Sequence, residues 1–138
     1  MDEAYDIIRC VRDKRYKYIR NFEPDKPYAQ RIRYMELMPT MRIWRQLAAA
    51  GELTGPTALF FRPTKPAEEL YDLQRDPLEQ HNVIDDPAYQ DVAWQLRTRV
   101  YNWMVETNDP LLYGDYPPTR AQRERAEERP MDNGVPHV

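Results

Sequence analysis

A single cysteine, Cys10, is all the thiol that 138 residues provide, which excludes an internal disulfide and any cysteine-rich zinc site. Its place in an alternating run predicts a small buried residue on a strand. Histidine is almost as scarce: His81 and His137 have no spacing that suggests a joint metal site, and His81, in a turn, is expected at the surface. No apolar run approaches the length needed to cross a bilayer, so no membrane partner is expected. The start, Met1-Asp2-Glu3-Ala4, lacks the basic and apolar regions of a signal peptide, an absence with weight only if no chain precedes it; the sequence therefore assigns no compartment. Surplus positive charge is missing too. Twenty Lys and Arg against 23 Asp and Glu give a net charge of −3, which argues against a nucleic-acid partner.

Charge and proline, by contrast, are plentiful. Charged residues make up 31% of the chain and mean hydropathy is −0.89, consistent with one water-facing domain and a modest core. Of the thirteen prolines, Pro24, Pro27, Pro39, Pro56, Pro63 and Pro66 fall between periodic segments and read as loop punctuation.

Residues 5–12 alternate as a strand, with Tyr5, Ile7 and Val11 on one side and Ile8 and Cys10 on the other. Arg12-Asp13-Lys14-Arg15 is a polar turn. Residues 15–22 form a second strand with Tyr16, Tyr18 and Phe22 on one face, completing an antiparallel hairpin. Tyrosines interleaved with Arg15, Lys17 and Arg20 are one way to stack nucleic-acid bases, but at this spacing they are expected as core under a helix. Residues 23–39 read as a long connection. A helix capped by Thr40 follows, carrying Ile43, Trp44, Leu47 and Ala48 and stopped by Gly51; from Glu52 to Pro66 the pattern is ambiguous, Leu59-Phe60-Phe61 reading either as a strand or, the favoured reading, as the end of a helical turn begun at Pro56. From Glu68 the chain alternates again as a strand, Glu69, Tyr71 and Leu73 against Leu70 and Asp72. Asp76, Pro77 and Glu79 then supply the cap, first-position proline and third-position acid of a helix start, predicting one helical turn ended by Asn82. Asp86 and Pro87 open the clearest helix, whose stripe is Tyr89, Val92, Ala93, Leu96, Val100, Trp103 and Met104 and which ends near Asn108-Asp109-Pro110. The fold class is α+β: a small antiparallel sheet of three to four strands packed against a long C-terminal helix, within residues 1–110. Residues 111–138 are expected as an irregular or partly disordered tail that drapes over a partner.

The acidic pairs Glu68-Glu69 and Asp85-Asp86 raise acid–base chemistry or calcium, yet a strand start and a helix N-terminus account for them. Asp72, Asp76 and Glu79 likewise read as turn and cap residues. No complete catalytic set appears. The candidate for function is the loop over residues 28–38, since long loops often carry function and arginine binds sulfate by paired hydrogen bonds. Arg31, Arg33 and Tyr34 are thus candidate contacts for an anionic sugar, with a packing loop as the bland alternative.

Three stretches carry a family resemblance. Glu69-Leu70-Tyr71-Asp72-Leu73, then Asp76-Pro77-x-Glu79-x-x-Asn82-Val83, resembles the signature near the C-terminus of sulfatases, especially the N-sulfoglucosamine sulfohydrolase branch of the alkaline phosphatase superfamily. Arg12 to Phe22 resembles the strand pair that opens that region, and Trp103-x-x-Glu106-Thr107-x-Asp109-Pro110 resembles the end of its last helix. The resemblance implies a C-terminal subdomain of an enzyme that hydrolyses sulfate esters or N-sulfates of sugars. It implies calcium and a formylglycine nucleophile, both supplied by an N-terminal α/β catalytic domain of the same polypeptide, and none in this chain. Formylglycine arises in a Cys/Ser-x-Pro/Ala-x-Arg context, whereas Cys10 is followed by Val11, Arg12 and Asp13, so the chain alone is expected to be inactive. Two alternatives stand beside this reading: a free-standing module that binds sulfated carbohydrate, and the C-terminal part of a related phosphatase or phosphonate hydrolase.

Overall fold

A computed structural model describes residues 4–113. Strands β1 (Ile8–Arg12) and β2 (Tyr16–Asn21) form the predicted hairpin, with Cys10 opposite Ile19 and Val11 opposite Tyr18. Asp13 makes the reversal local. Its N–H donates to the Tyr16 carbonyl at 2.9 Å, and its carboxylate accepts from the amides of Arg15 and Tyr16 at 2.8 and 2.7 Å. Those amides, Tyr16 first, hold the Asp13 carboxyl below the ordinary aspartate value. A short acid that bonds the backbone just ahead of it lets this turn close without glycine.

Strand β3 (Glu68–Asp72) pairs antiparallel with the other side of β2, giving the order β1-β2-β3. Because side chains alternate across a pleat, Val11, Tyr18 and Leu70, aligned across the strands, share one face. Helix α4 (Gln90–Glu106) lies on that face and turns Ala93, Leu96, Val100 and Met104 into the core. Asp86 opens the approach as predicted, accepting from the Ala88 N–H at 2.9 Å over a 3-10 turn at Pro87–Tyr89. Asn108 closes it in the left-handed region, at φ 51°. Trp103, expected in the buried stripe, is 49% exposed. It precedes Met104 by one residue, and the 100° step between neighbours carries it past the border of the stripe.

Part of the opposite face, around Glu69 of β3, is met by the excursion between β2 and β3, which holds α1 (Arg33–Glu36), α2 (Pro39–Ala49) and α3 (Gly55–Leu59). The predicted connection over residues 23–39 therefore contains a helix. In α2 the first residue is Pro39 and the cap is Met38, which makes no side-chain bond, so Thr40 lies inside the helix it was expected to cap. Proline sets this start, since its fixed φ suits the first position and it has no N–H to leave unpaired. The stop at Gly51, φ 71°, is as predicted, and of the two readings of the next segment the helical turn near Pro56 is the one that forms. Trp44 stacks on Phe60 at 5.0 Å, and Phe61 meets both edge-on at 5.1 and 5.4 Å, tying α2 to the exit of α3.

Two further expectations are corrected. Cys10 is exposed, because it lies on the edge strand and on the face away from α4. The helical turn expected from Asp76 does not form; the segment is a series of turns with Glu79 at φ 54°. The Asp76 carboxylate accepts from the His81 N–H at 2.7 Å, and Glu79 crosses to the Lys17 ammonium. Asn82, expected to end that turn, instead stands in for a strand. Its Oδ1 accepts from the amides of Leu70 and Ile84 at 2.8 and 3.1 Å, and its Nδ2 donates to the Glu68 carbonyl at 3.1 Å. Beside it the Val83 N–H donates to the Leu70 carbonyl at 2.9 Å. The free edge of β3 is thereby closed, where backbone groups would otherwise be left unpaired. After α4, Pro110–Tyr113 forms a 3-10 turn with Leu111 and Leu112 against the core. The rest of the predicted tail, from residue 114, lies outside the described residues.

Candidate functional site

Most of the acids that drew attention in the sequence are bound to partners within the fold. Asp72 is buried and receives the Arg15 guanidinium at 2.8 to 3.2 Å, and Arg15 first, then the Gln74 amide, lowers its carboxyl below the ordinary value. Glu68 takes the Arg97 guanidinium and Arg20 at 3.0 Å, and Arg97 is the main cause of its lowered pKa. The same carboxylate, with burial as the larger cause, pushes the Tyr18 phenol up to about 12. Asp109 receives Arg9 at 2.6 and 3.0 Å and the Leu111 amide at 3.0 Å, and Arg9 holds its carboxyl low.

Glu69 is the most enclosed of the set. One oxygen accepts from Asn21 Nδ2 at 2.6 Å and from the Tyr28 hydroxyl at 2.5 Å, and the other accepts from the Tyr71 hydroxyl. Burial first, then bonding to Glu69, raises both phenols above the ordinary tyrosine value, so they act as donors rather than acids. Lys65, its side chain fully buried, pairs with Asp6 nearby, its ammonium 5.9 Å from the Tyr28 ring. A cavity of about 500 Å³ opens above this cluster, lined by Glu69, Tyr71, Lys65, Phe60, Arg62 and Gln80 among others. The pleat that sends Leu70 towards α4 sends Glu69 and Tyr71 here. That alternation was legible in the sequence, but the partners Tyr28 and Asn21, 41 and 48 residues away, were not.

The sequence candidates lie elsewhere. Arg33 and Tyr34 open α1, with Arg31 two residues ahead, and all three are exposed, Tyr34 at 74%. None of them lines the cavity. The structure brings the three together along one exposed stretch of chain and leaves the role assigned to them a proposal.

No family model matches the chain. Individual proteins do. An ulvan-active sulfatase of Formosa agariphila is 42% identical over 108 residues, which is 78% of this chain and 18% of that protein. A second ulvan-active sulfatase of the same organism is 35% identical over 103 residues, 75% of this chain and 18% of its own length. The chain belongs to the sulfatase family. Human N-sulphoglucosamine sulphohydrolase, 28% identical over 106 residues, matches 76% of the chain and 21% of its own length, so the chain spans about a fifth of these relatives. Within this sulfatase-family chain, the residues that carried the resemblance serve the fold: Asp72 binds Arg15, Asn82 closes the edge of β3, and Asp109 ties the end of α4 to β1.

Proposed function

We propose that this chain is the C-terminal subdomain of a sulfatase-type hydrolase acting on sulfate esters or N-sulfates of sugars. It completes the catalytic domain and contributes one wall of the substrate cleft. The observation that carries this reading is the match of about three-quarters of the chain to only 18% of two ulvan-active sulfatases. Its chemistry agrees. The 138 residues contain no serine and only Cys10, outside a Cys/Ser-x-Pro/Ala-x-Arg context, so a formylglycine nucleophile has no precursor among them. Among the described residues no three of His, Cys, Asp or Glu are grouped to hold a metal, and Asp72, Asp109, Glu68 and Glu69 are engaged by arginine, tyrosine or asparagine. These residues do not fit a calcium site. Calcium and formylglycine are assigned to an N-terminal catalytic domain of the same polypeptide, with a sulfated carbohydrate as substrate and Arg31, Arg33 and Tyr34 as candidates for the cleft wall.

The test is a chimera in which this chain replaces the matched segment of the 42%-identical Formosa agariphila enzyme. The chimera is expected to show calcium-dependent sulfatase turnover, while deletion of the segment abolishes it. A chimera that melts cooperatively yet has no turnover overturns the reading, as does turnover by the 138-residue chain alone.

A further inference from the structure

Several cations on and around the sheet are neutralised within the fold: Arg9, Arg15, Lys17, Arg20 and, from α4, Arg97 each meet a carboxylate. Arg62 differs. It lines the cavity above Glu69 and is exposed, and among the described residues its guanidinium has no ion pair or hydrogen bond, nor do the Thr64 hydroxyl and the Gln80 side-chain amide beside it. Among the described residues, one cationic fork, one hydroxyl and one amide are therefore unengaged around this opening. Below them the floor is fixed, because Glu69 is already satisfied by Asn21, Tyr28 and Tyr71 and offers an incoming group no unmet demand. One wall is apolar and rigid, since Phe60 is held by stacking on Trp44 at 5.0 Å. At about 500 Å³ the cavity lies within the size range of small-molecule sites.

Each part of this arrangement answers a part of an acidic sugar. A planar guanidinium matches a sulfate or carboxylate through two parallel hydrogen bonds. A hydroxyl and an amide match ring hydroxyls, each being donor and acceptor. An aromatic wall suits the C–H face of a pyranose. An inorganic anion would use Arg62 and leave the depth empty, and a neutral sugar would leave Arg62 unmet. We infer that this cavity binds one anionic sugar ring, its sulfate or carboxylate on Arg62 and its hydroxyls on Thr64 and Gln80. The inference rests on the reading of the chain as part of an enzyme of sulfated sugars, and places a saccharide contact away from Arg31 and Arg33.

The test is an NMR titration of the 138-residue chain with glucose 6-sulfate, glucuronate, glucose and inorganic sulfate. Saturable shifts are expected at Phe60, Thr64 and Gln80 with the two acidic sugars, about tenfold tighter than with glucose or sulfate alone. Arg62→Gln should remove that preference and keep the dispersed spectrum, whereas Arg12→Gln, an exposed arginine in the hairpin, should leave it intact. The outcome with glucose 6-sulfate against glucuronate decides which acidic group the site prefers. Equal binding by the Arg62 variant, no saturable shifts, or inorganic sulfate binding as tightly as the sugars each overturns the inference. The chimera's turnover does not depend on these results, so failure here leaves the subsidiary role in a sulfatase standing.

Discussion

At the scale of single residues, Glu69 shows how a charge becomes a structural element. A buried carboxylate is costly unless its lone pairs are met, and here Asn21, Tyr28 and Tyr71 meet them from three parts of the chain. Removing one donor leaves part of that demand open. Tyr71→Phe is expected to lower stability by about 1–3 kcal/mol in urea unfolding, and Tyr28→Phe, at a half-buried position, by less. Because both phenols bind one carboxylate, the double variant should depart from the sum of the two. Additive losses near zero would show that Glu69 is satisfied by other means.

Among the elements, those set by local periodicity were legible in the sequence. The hairpin, β3 and α4 follow from two-residue and helical spacing, and Asp86 and Asn108 act where their chemistry places them. What sequence spacing misjudged was set by distant partners. Asp76, Pro77 and Glu79 have the spacing of a helix start, yet Lys17 draws the Glu79 carboxylate across and the edge of β3 claims Asn82. Exposure of Cys10 likewise depends on where the excursion happens to cover the sheet, which alternation does not encode. The cavity was hidden for the same reason, its parts arriving from residues as far apart as Tyr28 and Asn82. Asn82 gives the prediction proper to this scale. Asn82→Ala removes three hydrogen bonds and should cost about 2–4 kcal/mol, whereas Asn82→Asp keeps the acceptor for Leu70 and Ile84, loses the donor to Glu68, and should fall between. Amide exchange at Leu70 checks it: protection unchanged in the alanine variant would mean the edge is closed by Val83 alone.

For the whole molecule, stability should form a plateau bounded at both ends. Asp72, Asp109 and Glu68 have folded-state pKa values below the ordinary 3.8 and 4.5, so their contribution is complete above those values and is lost as pH falls through the depressed ones. Tyr18 is raised from 10.0 to about 12, so its contribution is complete below 10 and is lost as pH rises towards 12. Thermal melting across pH is expected to decline on both flanks, the acid decline being shallower in Asp109→Asn, which has already lost that titration. A melting point that holds steady through the acid range would sink this account. The Arg9–Asp109 contact has a further consequence. It joins residues 100 apart, so β1, the first strand, is fastened to the turn that follows α4. The clasp cannot fasten until the turn after α4 has been made, so its closure is expected late in folding.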